Sequence, residues 1–94
     1  MDETEKINEF EALPLRFAYE FLAQKGFENE ADEISQSKDK YMSYTSTLRR
    51  GKVLELLEKN NLLEEFTDKY WPFGKTEKGK RKIQRYKRIH RRWG

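Results

Sequence analysis

Apolar side chains recur every three or four residues along most of this 94-residue chain, and that spacing is typical of helices. Phe10, Leu13, Phe17 and Phe21 are the clearest example. Strand signals are few, because the chain has one valine, four isoleucines and no sustained two-residue alternation. We therefore predict an all-α fold, a small single-domain bundle of four to five helices that ends in a basic amphipathic helix.

Turn and cap residues predict where the first helices begin and end. The first helix should begin near Pro14 and end at Gly26, which suits a left-handed cap. Asn29 is the expected cap of a second, short helix. We predict a disordered segment over residues 1–8 and a helical domain over residues 9–94.

The same signals divide the second half of the chain. A third helix is predicted over residues 41–60, and Gly51 inside it marks either a close helix crossing or a break. Asn61 should cap a fourth helix, which Pro72 ends. Thr76 is the expected cap of the last, basic helix, at about residues 76–93.

The chain can build one small core. Only 35% of the residues are hydrophobic and 39% are charged, but thirteen aromatics can each bury a large area. The absence of cysteine excludes disulfides and thiolate metal sites. The acidic N-terminus does not resemble a secretory signal, and we expect a cytoplasmic protein.

Charge is divided very unevenly along the chain. Residues 75–94 hold ten of the 20 Lys and Arg residues and one of the 17 Asp and Glu residues, a net charge of +9. The first 74 residues hold the other ten cations and sixteen acids, a net charge of −6. A concentrated positive field attracts polyanions, and nucleic acid is the obvious one.

The cations of the last helix fall on one side of it. At 100° per residue, Ile83, Tyr86, Ile89, His90 and Trp93 share an arc of roughly 120° that faces the core, and most of the cations lie opposite. Three partners compete for this face: nucleic acid, acids of this chain or of a partner protein, and an anionic membrane. The membrane fits poorly, because the apolar face is needed for the core.

A second basic group lies near the start of the third helix. Arg49, Arg50 and Lys52 follow several hydroxyl side chains, and such residues contact phosphates and bases. This suggests a helix–turn–helix with residues 44–59 as recognition helix, although the link is longer than usual. Ordinary surface residues on a core helix explain the pattern equally well.

Residues 74–81 nearly match a phosphate-binding P-loop. Gly74, Gly79 and Lys80 have the required spacing, but Arg81 replaces the hydroxyl residue that coordinates magnesium. No strand precedes the motif, so we reject a nucleotidase. A weaker possibility is a glycine loop that offers N–H groups to one phosphate.

No catalytic or metal site emerges from the sequence. His90 is the single histidine and is expected to be a packed or partly exposed core residue, and no zinc site is plausible without cysteine or a second histidine. We therefore predict no enzyme activity and no cofactor. Unpaired bases could stack on exposed aromatics, and Trp71 and Phe73 are the best candidates.

The sequence therefore favours a nucleic-acid-binding module, with double-stranded DNA preferred over RNA, that could be one domain or subunit of a larger DNA-processing or regulatory protein. The alternative is a helical protein-interaction module whose basic helix docks an acidic partner or mediates dimerisation. The predicted nucleic-acid contacts are Arg49, Arg50, Lys52, Lys75, Lys78, Lys80, Arg81, Arg85, Lys87, Arg88, Arg91 and Arg92.

Overall fold

Five α-helices and one 3₁₀ turn account for most of the residues that the computed structural model describes, which are 11–37 and 45–93, apart from the side chain of Trp93. The same residues contain no strand, and the fold is a small all-α one, as predicted. In chain order the elements are α1 (Leu15–Gln24), α2 (Glu28–Gln36), α3 (Thr45–Lys59), α4 (Leu63–Tyr70), the 3₁₀ turn (Pro72–Lys75) and α5 (Glu77–Trp93). The predicted disordered segment, residues 1–8, lies outside the described residues.

Two left-handed residues end α1 and α3. Gly26 has φ +95°, and the N–H of Phe27 donates to the carbonyl oxygen of Leu22 at 2.8 Å, which completes a Schellman turn. Asn61 has φ +58° and ends α3 in the same way, with the N–H of Leu62 donating to Leu57 O at 2.8 Å. The predicted cap at Gly26 is confirmed.

Two predicted N-caps are wrong. Asn61 does not begin α4, because it already serves as the left-handed residue after α3, and Leu62 stands at the cap position without a side-chain hydrogen bond. Asn29 lies inside α2, whose cap position is Phe27. The third helix is observed from Thr45 onward, since Tyr41–Tyr44 lie outside the described residues.

Aromatic side chains form much of the core. Phe21 packs against Phe66 and Tyr70, with ring centroids 5.6 and 5.8 Å apart, and Phe17 stacks on Tyr70 at 6.0 Å. Trp71 is fully buried beside the 3₁₀ turn. Large rings thus compensate for the low hydrophobic content.

Helix α3 lies at the centre of the described elements, and α5 lies at an edge. Helices α1, α2, α4 and α5 all pack against α3, whereas only α3 and the 3₁₀ turn pack against α5 among the described elements. None of the described helices is long and apolar enough to cross a bilayer. This arrangement leaves one whole side of the basic helix uncovered by the elements described.

Candidate nucleic-acid interface

A hydroxyl cap and a glycine fix the start of α5. Thr76 Oγ1 accepts the N–H of Gly79 at 3.0 Å and donates to the carbonyl oxygen of Phe73 at 2.7 Å. Gly79 is buried, and a Cβ there would collide with the carbonyl group of Phe73. The predicted cap at Thr76 is confirmed, and it joins the 3₁₀ turn to the basic helix.

The buried side of α5 is narrow. Gly79, Ile83 and Tyr86 are buried, and His90 lies over Gly51 of α3 with its side chain 19% exposed. His90 is therefore packed, as expected, and its Nε2 lies 2.5 Å from Glu55 Oε2. These contacts determine which side of α5 faces outward.

The outward side of α5 carries seven exposed cations, which we call the basic stripe. At 100° per residue they cover about 160° of the helix circumference. In residues 11–37 and 45–93, no acid forms an ion pair with six of them, all except Arg92. The basic stripe consists of Lys78, Lys80, Arg81, Arg85, Arg88, Arg91 and Arg92.

The other predicted cations of the C-terminal region have partners within the fold. Lys75 forms an ion pair with Asp68. Lys87 Nζ lies 3.1 Å from Glu58 Oε2, with its side chain only 20% exposed. These two residues lie at the border of the basic stripe rather than in it.

Arg49 and Arg50 hold backbone segments in place. Arg49 donates from Nη2 and Nε to the carbonyl oxygen of Ser37, at 2.6 and 3.2 Å. Arg50 donates from Nε to the carbonyl oxygen of Leu13 at 2.8 Å. Both side chains are half-buried, so the structure gives them a role in packing. Their contact with nucleic acid stays a prediction.

Lys52 belongs to a different surface. It lines a groove between α2 and α3 together with Glu30, Glu33, Glu55 and His90. With Lys59, the groove holds two ammonium groups against three carboxylates, and this balance does not favour phosphate. The proposed contact of Lys52 with nucleic acid therefore gains no support from its surroundings, and it also stays a prediction.

The central position of α3 argues against the helix–turn–helix interpretation. Four helices pack around α3, and its exposed residues include Glu55 and Glu58. A recognition helix must present an open face to a negatively charged groove. Among the described elements, α5 presents such a face, whereas α3 is surrounded by four helices.

Several N–H groups of the P-loop-like segment are already used within the fold. The N–H groups of Gly74, Thr76, Gly79 and Lys80 all donate to oxygens of residues 71–76. The two glycines are instead needed for packing, because a Cβ on Gly74 would strike the ring of Trp71. The weaker, single-phosphate version of the P-loop prediction, which involves the first N–H groups of α5, stays a prediction.

The aromatics proposed for base stacking are not accessible. Trp71 is fully buried and Phe73 is 8% exposed, so neither can receive an unpaired base.

Burial raises the pKa of the Tyr86 hydroxyl above its ordinary value of 10.0. Arg50, a hydrogen bond with the Leu13 backbone and Arg85 partly oppose this effect. Tyr86 thus belongs to the core contact of α5.

One exposed residue on the outward side of α5 was missed because it carries no charge. Gln84 is exposed and lies between Arg81 and Arg88 on the outward side of α5. A helical projection of the sequence would have found it there. Among the described residues, no cluster of His, Asp or Glu is suited to hold a metal ion.

The surroundings of the basic stripe differ on its two sides. Lys80 lines a cleft of about 860 Å³ with Glu58, Glu64 and Lys75. Arg85, on the other side, lies near Tyr86 and contributes a positive field there.

No protein-family model, curated protein or solved structure matches this chain.

Proposed function

We propose that this protein binds nucleic acid through the basic stripe of α5, with double-stranded DNA preferred over RNA. The observation that carries the proposal is that six exposed cations of one edge helix find no acidic partner in residues 11–37 and 45–93. Like charges so close together repel one another, and a polyanion relieves that repulsion. A surface evolved for solubility alone would mix the two signs.

The dimensions of the basic stripe suit a phosphate backbone. From Lys78 to Arg92 the helix rises about 21 Å, at 1.5 Å per residue. Duplex DNA carries one charge about every 1.7 Å along its axis, so several phosphates lie within the length of the stripe. Binding would release counterions and would weaken steeply as salt rises.

The burial of the aromatics supports a duplex over a single strand. Proteins that bind unpaired strands stack bases on exposed aromatic rings. Among the described residues, Trp71, Phe73 and Tyr86 are buried and cannot stack on bases, whereas the cations of the basic stripe are exposed. A-form RNA has a deep, narrow major groove that side chains cannot read, and this favours DNA.

The proposal describes a binding module without catalysis, metal or cofactor. It fits one domain or subunit of a larger DNA-processing or regulatory protein. We also propose the cytoplasmic location expected from the sequence, because such a module would meet nucleic acid there.

The test is fluorescence anisotropy with a labelled mixed-sequence duplex, a single strand and an RNA hairpin, each titrated at several salt concentrations. We expect the duplex to bind best, with log K falling against log salt at a slope of about −4 to −5 for about four to six phosphate contacts. Absence of duplex binding at low salt would overturn the proposal.

A pair of charge-reversal variants separates the stripe from overall charge. The triple variant Arg81→Glu, Arg85→Glu and Arg88→Glu should lose duplex binding. The control Arg16→Glu, Lys59→Glu and Lys69→Glu reverses three exposed cations on α1, α3 and α4. Each triple lowers the net charge by six, from +3 to −3. Circular dichroism should show unchanged helix content in both, and equal losses of binding would contradict a role for the stripe.

The alternative partner is an acidic protein. Two ion pairs favour it, Lys87 with Glu58 and Lys75 with Asp68, because they show that cations beside the stripe already pair with carboxylates. If no nucleic acid binds at low salt, this alternative gains, and pull-down with a polyglutamate peptide would be the next measurement.

A further inference from the structure

Gln84 is the only uncharged residue among the exposed, described side chains of α5. It lies three residues after Arg81 and four before Arg88, so the three side chains share an arc of about 60°. That arc is opposite Gly79, Ile83 and Tyr86, which face the core. Arg81 and Arg88 therefore occupy the outermost line of the helix, and Gln84 lies on the outward side about 50° from that line, where it also borders the cleft that contains Glu58 and Glu64.

The outward half of α5 is open among the described elements. Only α3 and the 3₁₀ turn pack against this helix, and both do so from its buried side. An α-helix with its side chains is about 10–12 Å across. The major groove of B-form DNA is about 12 Å wide and admits one helix. The shape and the charge of α5 both fit that groove.

We propose, on the basis of the proposed function, that α5 is a recognition helix for the major groove of duplex DNA and that Gln84 reads an adenine. A glutamine amide can accept a hydrogen bond from adenine N6 and donate one to N7. Arginine at either side can donate to O6 and N7 of guanine. Arg81 and Arg88 lie about 10.5 Å apart along the helix axis, a span of about three base pairs at 3.4 Å each.

The remaining cations of the stripe then contact the backbone. Lys78 and Arg85 project to one side of this central line, and Lys80 and Arg91 to the other. Near Lys80 the carboxylates of Glu58 and Glu64 oppose phosphate. We therefore expect the DNA strand on the Lys78 and Arg85 side to be held more strongly.

The test is selection from a pool of duplexes with eight randomised central base pairs, followed by anisotropy on the enriched sequences. The wild-type protein should enrich adenine at one position beside guanine. Gln84→Ala should keep duplex binding and its salt slope but lose the adenine preference, about tenfold. Gln84→Arg should shift that position towards guanine, while the control Gln24→Ala on α1 should behave as wild type.

The outcomes separate the two proposals. Steep, salt-dependent duplex binding without any enriched sequence, or an adenine preference that survives Gln84→Ala, would overturn the recognition-helix inference and leave the proposed function standing. Failure of every duplex to bind would overturn both. Circular dichroism of each variant confirms that the substitution at this exposed position leaves the fold intact.

Discussion

The backbone of Gly51 lies directly against His90 at the crossing of α3 and α5. A Cβ at position 51 would stand 2.5 Å from the Cβ of His90 and 2.8 Å from the carbonyl oxygen of Tyr86. The two helices can therefore approach this closely only because residue 51 has no side chain. The crossing determines which side of α5 is buried and, as a consequence, which side presents the basic stripe.

Replacing Gly51 with alanine should destabilise the fold. Overpacking of this kind costs about 1–3 kcal/mol, against a gain of about 1 kcal/mol in helix propensity. We expect a lower melting temperature in thermal unfolding, by roughly 4–8 °C for each net kcal/mol at this chain length. Ser46→Ala, at an exposed position of the same helix, is the control and should change little. A melting temperature at or above wild type for Gly51→Ala would show that the crossing can widen freely.

The cap of α5 predicts a second, smaller effect. Thr76→Ala removes the oxygen that accepts the Gly79 N–H and should cost about 1 kcal/mol in urea unfolding. Thr76→Ser keeps the hydroxyl and should stay close to wild type. Equal stability of the alanine and serine variants would mean that the hydrogen bond contributes nothing.

The sequence predicts the helices well because their signals are local. Periodic apolar residues, Gly26, Pro72 and Thr76 each act within a turn or two of their own position. The error at Asn61 has a physical cause, since asparagine favours both N-caps and left-handed positions, whereas Asn29 lies inside α2 because that helix already begins at Glu28. The sequence cannot tell which of these two a neighbouring turn will require.

The basic stripe was also predictable, because charge and helical projection suffice to define it. The partners of the other cations were not. Arg50 bonds to Leu13, 37 residues away, and Lys87 pairs with Glu58, 29 residues away. Such contacts depend on how the helices pack, and no local pattern in the sequence reports that packing.

Two tyrosines should respond oppositely to loss of their hydroxyl groups. The hydroxyl of Tyr19 is buried without a hydrogen-bond partner among the described residues. Tyr19→Phe should leave stability unchanged or raise it, because an unsatisfied buried hydroxyl is unfavourable. Tyr86→Phe should lower stability by about 1 kcal/mol, since it loses a hydrogen bond with the Leu13 backbone. Urea unfolding of both variants checks this, and equal losses would contradict it.

Both tyrosines also predict a loss of stability at alkaline pH. Burial raises the pKa of Tyr19 and of Tyr86 above the ordinary value of 10.0, with nearby arginines partly opposing it. Above about pH 10 the unfolded chain loses these protons while the folded chain keeps them, so stability falls as pH rises. In the double variant Tyr19→Phe and Tyr86→Phe, the free energy of unfolding should fall less between about pH 9 and pH 11. Urea unfolding at intervals of about one pH unit measures this fall. An identical fall would assign the effect to other groups.

Removing the carboxylate of Glu58 should strengthen nucleic-acid binding, if the proposed function holds. Glu58 pairs with Lys87 at the border of the basic stripe, and it also lies in the cleft beside Lys80. Glu58→Gln would free one cation for phosphate and remove a repulsive charge. The salt slope of duplex binding should then steepen by about one unit, as expected for one added contact.

The control for this variant is Glu28→Gln at an exposed position of α2, which changes the net charge by the same amount. Both proteins carry one negative charge less than wild type, so any effect of overall charge on association is shared between them. A steeper slope in Glu58→Gln alone would place Lys87 and its surroundings in contact with the DNA backbone. Matching slopes in the two variants would instead show that the phosphate contacts end at the exposed cations of α5, because freeing Lys87 would then add none.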